Sequence, residues 1–168
     1  MTFLPFLSHL SIVGFLGILA AAALSDVRNL TIPNRYCVAI ALLYPAYLLS
    51  AGQPVDWLGA LVVAGSMLAA GFVLFALRAL GGGDAKLLAA VSLWAGPGLL
   101  PEFAILTALS GGGMALLLWL RHRLSRSPSL ALLAITPASS DFAKQPMPYG
   151  VAISAGGIYV AFTLLGIV

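Results

Sequence analysis

The chain has 168 residues, 61% of them apolar and only 8% charged, with a formal net charge of +3. Soluble domains carry roughly 25% charged residues, so a water-exposed globular fold is excluded and an all-α integral membrane protein is implied. The eight Lys and Arg form no basic patch with interleaved aromatics, which excludes nucleic acid as a partner, and the single cysteine, Cys37, excludes an internal disulfide or a Cys-x-x-Cys zinc site.

A bilayer core of about 30 Å needs about 20 apolar residues of helix. Residues 5–24 supply the first such span. No Lys or Arg precedes Arg28, so this segment reads as a retained helix rather than a secretory signal with a basic start. The polar run 25–29 breaks it. Pro33 fixes φ and Asn34 can cap, which starts a second helix near residue 35 and carries it to about residue 50. A turn at 51–54 leads to a third helix over 57–77. The knot Gly81-Gly82-Gly83-Asp84-Ala85-Lys86 follows, and then a fourth apolar stretch over 85–95 that Gly96-Pro97-Gly98 ends. The fifth helix covers 101–120, with Gly111-Gly112-Gly113 inside it as a close-packing stripe. Residues 121–148 form a long polar loop. Its short apolar piece, 130–135, cannot span and belongs at the interface or re-enters. A sixth helix covers 151–168. The expectation is one transmembrane domain over residues 1–168 with about six spans.

The basic residues sort among the connections. Arg28 and Arg35 flank the first, Arg78 and Lys86 the third, and Arg121, Arg123, Arg126 and Lys144 belong to the fifth. The second and fourth connections and both chain ends carry none. Positive charge marks the cytoplasmic side, so both termini are expected outside the cytoplasm. Asp26 and Asp84 then share the cytoplasmic side, Asp56 and Glu102 the other, and Asp141 sits in the long loop.

An ionisable residue at a membrane segment is a functional candidate. Two carboxylates in one site can divide acid and base work, because like charges a few ångströms apart share a proton. Asp26 and Asp84 are the candidates for such a pair, whose chemistry needs no metal, cofactor or covalent nucleophile. Competing chemistries are missing from the sequence: there is no Gly-x-Ser-x-Gly elbow, no His-Glu-x-x-His and no P-loop ending after the glycines, and His9 and His122 fall on opposite sides. Each aspartate also has a plain structural reading, Asp84 as a helix N-cap and Asp26 as a carboxylate solvated among headgroups. The helix ends suggest a division of roles. Asp26 closes the first helix, where the dipole disfavours negative charge, and Asp84 opens the fourth, where it is favoured; Asp84 is therefore expected to be the base and Asp26 the acid.

Three motifs resemble one family. Gly81-Gly82-Gly83-Asp84 fits the Gly-x-Gly-Asp signature of intramembrane aspartic proteases, in the Gly-Gly-Gly-Asp-x-Lys form of type IV prepilin peptidases. Asp26 followed by Ile32-Pro33-Asn34 resembles the family's first aspartate motif, and 144–152, with Pro146-Met147-Pro148-Tyr149-Gly150, looks like its last-helix signature. The resemblance covers nearly the whole chain. It implies that Asp26 and Asp84 are the catalytic pair, and that the substrates are prepilins and pseudopilins cut after a Gly on the cytoplasmic side of a bacterial inner membrane. Larger members carry an N-terminal part with paired Cys-x-x-Cys motifs linked to N-methylation. This sequence is similar instead to the short peptidases of tight-adherence (Flp) pilus systems, for which cleavage alone is expected.

Around the pair, Gly81, Gly82 and Gly83 could form a turn or admit a substrate backbone. Lys86 and Arg28 read first as positive-inside anchors and second as groups that tune the aspartates. Tyr149 reads as an interfacial anchor that could orient substrate, and Asn34 as a cap or turn residue. The alternatives are another Gly-x-Gly-Asp protease similar to the preflagellin peptidases, a small ion- or proton-coupled transporter, or an assembly scaffold. Two aspartates near one face disfavour a transporter, whose relay groups would stand at mid-membrane.

Overall fold

The computed structural model describes residues 3–52, 54–125 and 147–167. The described residues form five helical runs: α1 (Phe3–Asn29), α2 (Asn34–Ser50), α3 (Trp57–Ala76), α4 (Gly82–Ser125) and α5 (Tyr149–Leu164). Most of the expected loop 121–148, with its interfacial piece, Arg126, Asp141 and Lys144, lies outside the described residues.

Two helix ends differ from the sequence expectation. Polar residues 25–29 do not end α1, because Ser, Asp, Arg and Asn are all compatible with a helix and neither Pro nor Gly intervenes. The helix runs on to Asn29 and closes where the Leu30 N–H donates to the Asp26 carbonyl at 2.8 Å, with Leu30 in the left-handed region at φ 51°. Asp26 therefore stands inside the last turn, not beyond it. At α2, Pro33 takes the capping position without any side-chain cap, and Asn34 is the first helical residue. Asn34 is thus not a cap; its side chain is engaged elsewhere.

The 44-residue run of α4 would be about 66 Å long if straight, twice a bilayer core. It is not straight. Gly96 has φ 57° and ψ −171°, a conformation open essentially to glycine alone, and the backbone breaks there. Neighbours along α5 show the consequence. Gly150 and Gly83 both abut Ile32, and Gly157 lies against Val91, so the first limb of α4 runs parallel to α5. Gly156 lies against Phe103 and Thr107, and Gly111 against Ala152, so the second limb runs back the other way. The chain reverses at the Gly96-Pro97-Gly98 breaker, and the five runs become six helical segments.

Pairing is densest between α3 and α4 and between α4 and α5; α1 packs on α2 and α5, and α2 also meets α4. α3 runs antiparallel to the first limb of α4. Gly71 meets Ala85 at one end, and Gly59 meets Pro97 at the other. The interior is built around Trp94, whose indole stacks on Phe15 at 4.5 Å, meets Tyr44 and Tyr47, and donates to the Ile40 carbonyl at 3.0 Å. Large apolar side chains instead face outward along α3, among them Leu61, Val62, Phe72 and Val73. Three runs, Pro5–Asn29, Trp57–Ala76 and Gly82–Arg121, are long and apolar enough to cross a membrane. Apolar outer faces on helices of this length are what a protein dissolved in lipid presents.

Candidate functional site

The end of α1, the start of α4 and the start of α5 converge at one end of the bundle, and Ile32 is the wedge between them. It is 8% exposed. On one side its backbone oxygen and Cβ would stand 3.0 and 3.1 Å from a Cβ placed on Gly83; on the other its Cδ1 would stand 2.6 Å from one on Gly150. Glycine on both flanks is what lets the α1–α2 connection slot between α4 and α5. Ser25 tightens that connection by donating to the Thr31 carbonyl at 2.9 Å.

Next to the wedge is a cavity of about 400 Å³, lined by Asp26, Leu30, Phe75, Arg78, Gly81, Asp84, Met147 and Tyr149 among others. Both sequence-predicted aspartates therefore face one space, with Gly81 and Tyr149. Asp26 is buried, at 4% exposure, and its Oδ2 accepts from the backbone N–H of Gly150 at 2.7 Å. That donor lies 124 residues along the chain, at the N-terminal end of α5. Asp84 stands in the first turn of α4. Its Oδ2 lies over Gly81, while Oδ1 is buried and has no hydrogen-bond partner among the described residues. A buried carboxylate oxygen without a partner is costly, and such groups concentrate where chemistry is done.

The glycine triplet has a different use from the expected turn. None of the three has positive φ, and Gly82 and Gly83 are already helical. Each instead accommodates a close neighbour: the Asp84 carboxylate at Gly81, the Phe75 ring at Gly82 and Ile32 at Gly83. The backbone strain is found nearby, at Leu30 and at Arg78, with φ of 51° and 59°. Both residues line the cavity, and non-glycine residues held in this region gather at functional sites.

Lys86 and Asn34 do not join the aspartates. Lys86 is on the other face of α4, where its Nζ donates to Asn34 Oδ1 at 2.9 Å, and the two border a separate, largely apolar groove of about 570 Å³ between α2 and α3. Arg28 is exposed in the last turn of α1 and does not line the cavity. Sequence reasoning gave no site role to Gly150, Ile32, Leu30, Phe75, Arg78 or Met147, although Ile32, Met147 and Gly150 stand within the motifs that carry the family resemblance. Among the described residues no group of His, Cys, Asp and Glu could hold a metal ion.

A sequence model of the type IV leader peptidase family matches residues 13–116. The match takes in both aspartates and the glycine triplet, and ends before α5. Neither the curated proteins nor the solved structures give a match.

Proposed function

The chain belongs to the type IV leader peptidase family, and from that premise we propose that Asp26 and Asp84 are a catalytic pair that cuts the leader peptide from prepilins and pseudopilins. The observation that carries this is the cavity of about 400 Å³ shared by both carboxylates, one of them with an oxygen that has no partner among the described residues.

The chemistry follows from two carboxylates sharing one proton. The unprotonated member takes a proton from water as the water oxygen bonds to the scissile carbonyl carbon. The protonated member gives its proton to the carbonyl oxygen. The first carboxyl then delivers its proton to the leaving amide nitrogen as the C–N bond breaks, and the second recovers one from the collapsing diol. No redox partner is consumed. Met147, Tyr149 and Phe75 supply an apolar wall for an extended substrate segment.

The cut is placed after a Gly, on the cytoplasmic side of the inner membrane, where the basic residues collect and where a prepilin's apolar helix lies beside the enzyme in the bilayer. The sequence holds one cysteine and so no Cys-x-x-Cys pair, and the proposal is for cleavage without N-methylation. Co-expression with a prepilin, read as a change in its size, tests the pair. Asp26→Asn and Asp84→Asn should each abolish processing. Normal processing in either variant removes that residue from the mechanism.

A further inference from the structure

Gly150 lies beyond the span matched by the family, yet its N–H reaches the Asp26 carboxylate at 2.7 Å, with the Val151 N–H a second backbone donor beside it. Its N–H is one of the donors that a helix start leaves unpaired, at the end of α5 where the dipole is positive. A hydrogen bond from such a donor to a carboxylate is charge-assisted and strong. The C-terminal end of α1 disfavours negative charge at Asp26; the incoming start of α5 supplies the opposite field.

Space rather than backbone conformation requires glycine here, since Gly150 does not have positive φ. A Cβ at this position would stand 2.6 Å from Ile32 Cδ1 and 2.8 Å from Asp26 Oδ2. Ile32 could rotate its terminal methyl away. Asp26 Oδ2 must also shift to clear the new methyl, and that shift strains its bond to the Gly150 N–H.

We propose that Gly150 is a positioning residue: by carrying no Cβ it lets the start of α5 hold Asp26 as the unprotonated base that activates water, leaving the proton of the pair on Asp84. Asp84 fits the second role because its buried Oδ1 accepts from no described group, so no described donor stabilises it as an anion. The assignment reverses the one that the helix ends of α1 and α4 suggest. It rests on the proposed aspartate chemistry.

The test uses the full-length enzyme in a bilayer with a purified prepilin. Gly150→Ala should lower kcat on the order of 100-fold, the effect of misplacing a reacting group by about 1 Å, with KM within about twofold of wild type. Ile32→Val removes the Cδ1 that the alanine methyl would meet. The double variant Gly150→Ala/Ile32→Val should therefore recover the wild-type melting temperature but not kcat. Wild-type kcat in Gly150→Ala, or kcat restored in the double variant, overturns the proposal, because glycine would then serve packing alone. A readout independent of turnover is the isotope-edited infrared carboxyl band of Asp26, recorded in an Asp84→Asn background. Gly150→Ala should move that band, and an unmoved band overturns the inference. Should wild type cut no prepilin, the proposed function fails, and the infrared band still decides the role of Gly150.

Discussion

Asp56 and Asp26 are both aspartates at helix ends, and the difference between them is the difference between a cap and a candidate catalytic group. Asp56 precedes α3 and accepts from the Gly59 N–H at 2.9 Å, three residues on in its own helix. Asp26 accepts from another helix altogether, in a cavity shared with a second carboxylate. Replacing Asp56 by alanine should cost about 1 kcal/mol of stability, read as a lower melting temperature, and leave prepilin cleavage unchanged. Gly83 gives a second residue-scale prediction. A methyl there meets the backbone oxygen of Ile32 at 3.0 Å, and backbone cannot rotate aside. Gly83→Ala should destabilise by about 1–3 kcal/mol and reduce cleavage, since the wedge it displaces also borders Gly150. Gly17→Ala, with nothing within 4 Å of the added carbon, should be neutral or slightly stabilising in the same melting assay. The two aspartates were legible in the sequence because a membrane chain with so few acids makes each conspicuous. The Asn34–Lys86 bond and the Gly150 donor were not, because each joins segments far apart in the chain and depends on which face of a helix is turned inward.

At the scale of elements, the break in α4 was readable and the end of α1 was not, for one physical reason. A helix ends where the backbone cannot continue, and polarity alone does not stop it. Gly96-Pro97-Gly98 forces a reversal through a conformation nearly closed to other residues. The run 25–29 only changes the side chains. Keeping α1 helical to Asn29 is what places Asp26 one turn inside the bundle, within reach of α5. Substituting Gly96 by alanine should cost about 1–3 kcal/mol through the strained φ, although space is available, Ala60 Cβ being 3.9 Å away. Gly98→Ala, open on all sides, should not. Equal melting temperatures for the two would show that the reversal does not depend on the Gly96 conformation. The expected packing role of the second glycine triplet holds at Gly111, where an added Cβ would stand 3.6 Å from that of Ala152; a Cβ on Gly112 or Gly113 would meet no described atom within 4 Å.

Taken as a whole, the molecule has two chemically different ends. The contacts of α3, α4 and α5 put Asp26, Asp84, Arg28, Arg35, Arg78 and Lys86 at one end, and Asp56, Pro97 and Glu102 at the other. The second limb of α4 heads back past Ala152 and so carries Arg121 and Arg123 toward the aspartate end. Every Lys and Arg among the described residues thus gathers at the end with the cavity. The proposed cytoplasmic placement of the aspartate end rests on this bias, since each basic residue resists translocation. It follows that a reporter active only outside the cytoplasm should work when fused after residue 52 or after residue 98, and stay silent after residue 80. α5 starts at the aspartate end and spans away from it, so a fusion after residue 167 should report outside as well. A silent reporter at 52 or 98 together with an active one at 80 would invert the protein. The cavity would then open away from the cytoplasm, where a prepilin still carrying its leader could not present the bond to Asp26 and Asp84.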